Sequence, residues 1–242
     1  MKTVALIPAR YAATRFPGKL LEDLAGKPVI VRTFEAAVAT GLFDRVCVVT
    51  DDNRIASSAG KAGAEVLMPP GDFATGSDRI AAASRDIDAD IIVNIQGDEP
   101  FLNTGLLRRM IQTFEADKDK EIEVVSAAFP ITDAMEINNP NNVKVVTDDR
   151  GFALYFSRSP VPYPAREGVG EYMQHIGIYA FRKSALMHFA GLPPCKPERI
   201  EKLENLRFLC HGMRVKILQA DEKTIGIDTP GDLEKARDMF RR

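Results

Sequence analysis

Val4-Ala5-Leu6-Ile7-Pro8-Ala9-Arg10-Tyr11-Ala12-Ala13-Thr14-Arg15-Phe16-Pro17-Gly18-Lys19 decides how the rest of the chain is read. Four apolar residues without alternation, Val4 to Ile7, predict a strand buried on both faces, as in a parallel sheet. A loop of small residues follows, carrying Arg10, Arg15 and Lys19, with Pro17 and Gly18 setting a turn. Little side-chain bulk, free backbone N–H groups and fixed cations suit a polyphosphate. A solvated basic loop is the other reading of the same residues. Neither Gly-x-Gly-x-x-Gly nor Gly-x-x-x-x-Gly-Lys-Ser/Thr occurs, so dinucleotide-binding and P-loop proteins lose their main support.

Outward from this stretch, strand and helix patterns alternate to about residue 130. Val4–Ile7, Val46–Thr50, Ala64–Met68, Ile91–Ile95 and Val124–Phe129 read as strands, with helical patterns at about 28–40, 53–62, 78–86 and 104–116. Asn53 and Ser77 are the expected starts of the second and third helices, and Asn103 or Thr104 caps the fourth. The fold class is therefore α/β: a mostly parallel, three-layer sheet whose ligands bind beyond the carboxyl ends of its strands. Beyond residue 130 the pattern turns β-rich, at 143–147, 152–156 and 176–181, followed by one helix at about 198–209, a strand at 213–218 and a last helix from about 231. The expectation is a single domain over 1–242 with an embedded smaller lobe at about 131–212.

Composition narrows the partners. The 242 residues carry Lys+Arg 32 against Asp+Glu 34, a net charge of −2, so no global field draws nucleic acid or anionic lipid. No apolar run is long enough to span a membrane and no secretory leader is read, which makes the cytoplasm the expected location. Three cysteines without paired spacing and three scattered histidines argue against a disulfide framework or a zinc site.

Gln96-Gly97-Asp98-Glu99-Pro100 leaves the strand at 91–95. Asp98 there suits Mg²⁺, which takes one or two carboxylates plus phosphate oxygens; an ordinary acidic turn is the alternative. Gln96 offers donors and acceptors for a base edge. Asp228 reads either as the N-cap of the last helix or as a second carboxylate for the same ion. Thr75 and Ser77 read as caps or ligand hydroxyls, and Arg79 as a phosphate-edge cation or the partner of an acid. Glu198, Glu201 and Glu204 recur every third residue, so one helix presents them together beside Ile200, Leu203 and Leu206. That row is a salt-bridged surface or a set of acceptors for a polyhydroxylated ligand.

Taken together the chain resembles the 3-deoxy-manno-octulosonate cytidylyltransferases. The matching pieces are Ile7-Pro8-Ala9-Arg10-Tyr11 with Arg15-x-Pro17-Gly18-Lys19, Gln96-Gly97-Asp98-Glu99-Pro100, Val143-Lys144-Val145-Val146 and Ala153-Leu154-Tyr155-Phe156-Ser157-Arg158. His175-x-Gly177-Ile178-Tyr179, Leu203-Glu204-x-Leu206-Arg207 and Asp228-Thr229-Pro230-x-Asp232-Leu233 complete the set in family order. The resemblance implies a nucleotide-diphospho-sugar transferase-like fold and a reaction of CTP with an eight-carbon 2-keto sugar acid, for lipopolysaccharide assembly. It implies that Ala9, Arg10, Arg15 and Lys19 hold the triphosphate and that Gln96 and Arg79 contact the nucleotide. It further implies that Asp98 and Asp228 bind Mg²⁺, that Arg158, His175, Tyr179, Glu201 and Glu204 shape the sugar pocket, and that the β-rich lobe forms a homodimer. Phe73 stands where the family pattern has histidine. This keeps the 8-amino analogue of the sugar open as a substrate, with a non-catalytic nucleotide-binding regulator as the reading from another class.

Overall fold

The computed structural model describes residues 1–12, 16–73, 75–165 and 171–241. Arg15 lies outside the described residues. Contacts divide the chain into two compact units, Met1–Arg108 with Thr224–Arg242, and Arg109–Lys223.

In the first unit, β1 (Thr3–Ala9) is followed by the short hairpin β2 (Asp23–Leu24) and β3 (Lys27–Pro28), then by α1 (Val29–Ala39), β4 (Arg45–Thr50) and α2 (Asn53–Lys61). Next come β5 (Glu65–Leu67), α3 (Gly76–Ser84), β6 (Ile91–Asn94) and α4 (Thr104–Ala116), which crosses the unit boundary. The strand order β6-β1-β4-β5 is parallel throughout, with Leu6 opposite Cys47 on one side and Asn94 on the other. Val4 to Ile7 are fully buried, as the unbroken apolar run requires. Helices cover both faces. Gly76 at the start of α3 packs on Pro8 from one side, while Gly97 approaches Ile30 of α1 on the other.

Helix caps correct two expectations. Asp52, rather than Asn53, caps α2, its carboxylate accepting from the Arg54 and Ile55 amides at 2.9 and 3.4 Å. Thr75, rather than Ser77, caps α3 by accepting from Asp78 N at 3.1 Å. In both cases a neighbouring oxygen with extended backbone was better placed to meet the free amides. Asn103 caps α4 through Leu106 N at 2.8 Å.

The second unit contains β7 (Val124–Ile131), α5 (Ala134–Asn138), β8 (Lys144–Thr147), β9 (Ala153–Ser157) and β10 (Tyr172–Arg182). It continues with α6 (Lys183–Ala190), α7 (Lys196–Glu201), α8 (Asn205–Cys210) and β11 (Val215–Gln219). Here β11 pairs parallel with β7, while β7–β10, β10–β8 and β8–β9 are antiparallel. The chain then returns to the first unit with α9 (Pro230–Phe240).

The helix expected at 198–209 is two helices. Lys202 sits in the left-handed region at φ 52°, and the chain folds back there. The buried pair Glu198–Arg207 shows why. Nine residues along one straight helix would separate them by about 13 Å, yet Arg207 Nη2 and Glu198 Oε1 are 2.6 Å apart. Burial of this pair, together with the Arg207 guanidinium over the Phe189 ring at 4.5 Å, favours the break. Ile200, read as the neighbour of Leu203 and Leu206 on one helix, is 71 % exposed, whereas both leucines are buried.

Candidate active site

At the carboxyl end of β1 the loop turns at Gly18, whose φ of +76° is the left-handed region that favours glycine. Gly18 N donates to Tyr11 O at 3.0 Å. The turn carries Lys19 inward, where it is buried despite its charge. Two chain-distant segments meet it. Asp98, just beyond β6, pairs with Lys19 Nζ, and Asp228, just before α9, accepts from the same nitrogen at 2.9 Å. The segments are tied directly by Ile227 N donating to Asp98 O at 2.9 Å. Thr229, not Asp228, caps α9 in a reciprocal box with Asp232, which leaves the Asp228 carboxylate directed at Lys19. Gly97 suits the tight approach beside Asp98, because a Cβ would lie 3.1 Å from Pro8 O.

Charge is concentrated here. Burial opposes the Lys19 ammonium, but Asp98 and Asp228 together outweigh it and hold its pKa above the ordinary lysine value. Glu99 is pushed up to about 8, first by burial and then by the charges of Asp98 and Asp228. An ammonium already held between two carboxylates is a cation stand-in, so the pair fits a divalent ion shared with phosphate oxygens. Among the described residues no group of three or more His, Cys, Asp or Glu is arranged to hold a metal by itself.

Arg79, buried on α3, donates to Asp51 Oδ2 at 2.8 Å, while its buried Nη1 has no hydrogen-bond partner among the described residues. Arg79 in turn lowers the Asp51 pKa. Arg10 is exposed, Ala9 is buried at the strand end, and Gln96 is half-buried. The first unit thus gathers Ala9, Arg10, Lys19, Arg79, Gln96, Asp98 and Asp228 at the carboxyl ends of β1, β6 and their neighbours.

The residues expected to shape the sugar pocket fall in the second unit as two groups. Glu201 accepts from Ser157 Oγ at 2.7 Å and from Arg158 N at 2.9 Å. The Arg158 guanidinium bonds the carbonyls of Glu201, Pro140 and Lys202 at 2.7, 2.9 and 3.4 Å. The second group is aromatic. The His175 ring lies 5.0 Å from Phe156 and 5.4 Å from Tyr179. The Tyr179 pKa is raised well above its ordinary value by burial and then by Glu204, with Asn205 opposing the shift. The expected row of Glu198, Glu201 and Glu204 on one helix face does not exist: Glu198 is locked to Arg207, Glu201 to Ser157 and Arg158, and Glu204 stands at the N-cap position just before α8.

His175 has a defined tautomer. Ser126 Oγ lies 2.9 Å from His175 Nε2, 2.8 Å from Ile178 O and 3.2 Å from Ile176 O. The single hydroxyl proton goes to a carbonyl, so Oγ accepts from Nε2–H and Nδ1 keeps its lone pair. Burial pushes the His175 pKa down to about 3, which makes the ring a neutral acceptor near pH 7. Ser126, Asp51, Lys144 and Asn205 were absent from the sequence-based candidates. Two of them had a signal: Asp51 is the first residue past β4 at the ligand-binding edge, and Lys144 lies in the Val143-Lys144-Val145-Val146 motif.

Residues 4–217 match the family model described as cytidylyltransferase, which sets the class. The chain is 54 % identical over 242 residues to a 3-deoxy-manno-octulosonate cytidylyltransferase of Flavobacterium johnsoniae, covering 100 % of this chain and 99 % of the relative. It is 51 % identical to the enzyme of the same name from Christiangramia forsetii, covering 99 % and 97 %. A solved CMP:2-keto-3-deoxy-manno-octonic acid synthetase complexed with CTP superposes with a TM-score of 0.93 at 37 % identity, covering 100 % of this chain and 99 % of that one. Within the cytidylyltransferase family, this chain belongs to the 3-deoxy-manno-octulosonate cytidylyltransferases.

Proposed function

We propose that this chain transfers CMP from CTP to 3-deoxy-manno-octulosonate (Kdo), giving CMP-Kdo and pyrophosphate for lipopolysaccharide assembly, and that it does so with Mg²⁺ in the cytoplasm. The observation that carries this reading is the meeting of Asp98 and Asp228 on Lys19 at the carboxyl edge of the parallel sheet. Asp98 and Asp228 would hold the ion, which supplies charge neutralisation on the phosphates and Lewis acidity. Arg10, Arg15 and Lys19 bind the triphosphate, with the Ala9 backbone lining its approach. Arg79 has a donor to spare at Nη1 for the nucleotide, and Gln96 reads the base edge.

Chemistry consists of one displacement. The anomeric hydroxyl oxygen of Kdo forms a bond to the α-phosphorus and gives up its proton to water, the bond from the α-phosphorus to the α–β bridging oxygen breaks, and pyrophosphate departs in line with that oxygen. Lys19, Arg10 and Arg15 offset the charge that builds on the leaving group. In the sugar-binding set, His175 Nδ1 accepts from a sugar hydroxyl, while Tyr179, Glu204, Glu201 and Arg158 fix orientation.

The test is Asp98→Asn assayed for pyrophosphate release from CTP and Kdo, with CTP binding measured alongside. Turnover is expected to fall by about 100-fold or more, while the circular dichroism spectrum stays that of the parent. Near-normal turnover would refute the metal-binding assignment. We further propose a homodimer through the β-rich unit, supported by exposed Met135, Leu154 and Tyr163. A stable monomer in light scattering at working concentration contradicts that.

A further inference from the structure

Val143-Lys144-Val145-Val146 is the one motif in the family-like set without an assigned task, and Lys144 is fully buried. Its ammonium donates to three backbone carbonyls, Asn142 O at 2.6 Å, Arg158 O at 2.7 Å and Asn139 O at 3.2 Å. A charge so deeply buried is retained only when its hydrogen bonds are well met. We propose that Lys144 is a positioning residue for the sugar-acid half of the site, acting through Arg158; this rests on the function proposed above.

The connection is continuous. Lys144 stands opposite Ser157 on β9 and Gln174 on β10, so the three share one face of the strands. It fixes the Asn139–Asn142 turn and the Arg158 carbonyl from one side. The Arg158 guanidinium holds the turn again at Pro140 O and clasps Glu201 O and Lys202 O, the two residues at which α7 ends. The Glu201 carboxylate returns to Ser157 Oγ and Arg158 N. Two residues past Lys202 stands Glu204, whose charge acts on Tyr179. Six carbonyls on two cations therefore set the corner from which this acidic group acts on the aromatic pair. Burial lowers the Lys144 pKa and the Glu201 charge counters it.

The test compares Lys144→Met and Lys144→Arg with the parent by steady-state kinetics and by amide hydrogen exchange. For Lys144→Met the KM for Kdo is expected to rise about 10-fold or more, from loss of a charged hydrogen-bond set. The KM for CTP should stay within about twofold, and Lys144→Arg should recover part of the loss. In the free protein, exchange should quicken at Asn139–Asn142 and Glu201–Asn205 while the strand amides keep their protection. Should Lys144→Met not accumulate as folded protein, Lys144→Gln takes its place with the same readouts. Unchanged KM for Kdo, or equal losses in both KM values and kcat, overturns the proposal. So does unchanged exchange at the corner. Hydrogen exchange needs no substrate, so it separates failure of this inference from failure of the proposed reaction, which parental turnover of CTP and Kdo tests independently.

Discussion

His175 links the electrostatics of the second unit to a measurable slope. In an unfolded chain histidine titrates near 6.5, whereas burial holds His175 at about 3 in the fold. Between those values the unfolded state binds more protons, so acidification favours unfolding. Stability therefore rises with pH from about 3 to about 6.5 and levels off above it. At about pH 5 the unfolded imidazole is almost fully protonated and the folded one almost fully neutral. The difference between about pH 7.5 and about pH 5 is then about 2 kcal/mol. This is the upper end, because His175 keeps some exposed surface through which water moderates the shift. The assay is urea unfolding of the parent and of His175→Gln at both pH values. The stability gap between the two proteins should change by up to about 2 kcal/mol, with the parent losing more on acidification. A gap that stays constant, or a His175 ring proton titrating near 6.5 in NMR, refutes the neutral, Ser126-bonded imidazole.

Glu198→Ala leaves the Arg207 guanidinium buried without its carboxylate and should cost about 3–5 kcal/mol in urea unfolding; Glu198→Leu with Arg207→Met should recover much of that, since neither charge then remains. Asp52→Ala removes the α2 cap and should cost about 1 kcal/mol, read as a lowered thermal midpoint with kcat unchanged.

The parallel sheet was legible because the centres of β1, β4 and β6, Val4 to Ile7, Cys47 to Val49 and Ile91 to Val93, are fully buried and apolar without interruption. The Asp98–Asp228 meeting was legible for a different reason. Both carboxylates fall at boundaries where a strand ends or a helix begins, and such boundaries gather at one edge of an α/β sheet. What the sequence hid is the second unit's polar wiring. A glutamate every third residue is the pattern of a helix face, yet the energy of burying Glu198 against Arg207 outweighed local helical continuity at Lys202. The helix α6 was missed although Ala185, Leu186 and Phe189 carry its buried stripe, because its eight residues offer barely two turns of periodicity. Lys144 reads as a polar interruption of a strand, and only the three carbonyls around it explain why a lysine stands there.

Phe73 is the one departure from the family pattern that bore on substrate choice, and its surroundings give it a local cause. Its ring centroid lies 5.4 Å from the Arg79 guanidinium carbon, and Arg79 is itself paired with Asp51. A histidine here would set an imidazole, positively charged whenever protonated, beside a buried guanidinium with one donor unpartnered among the described residues. A benzene face attracts that cation at any pH. Phe73, Arg79 and Asp51 all belong to the first unit, and the exchange has a local electrostatic account there. Arg158, His175, Tyr179 and Glu204 are all retained in the second unit. The relatives at 54 % and 51 % identity are named for 3-deoxy-manno-octulosonate itself, which favours Kdo over its 8-amino analogue.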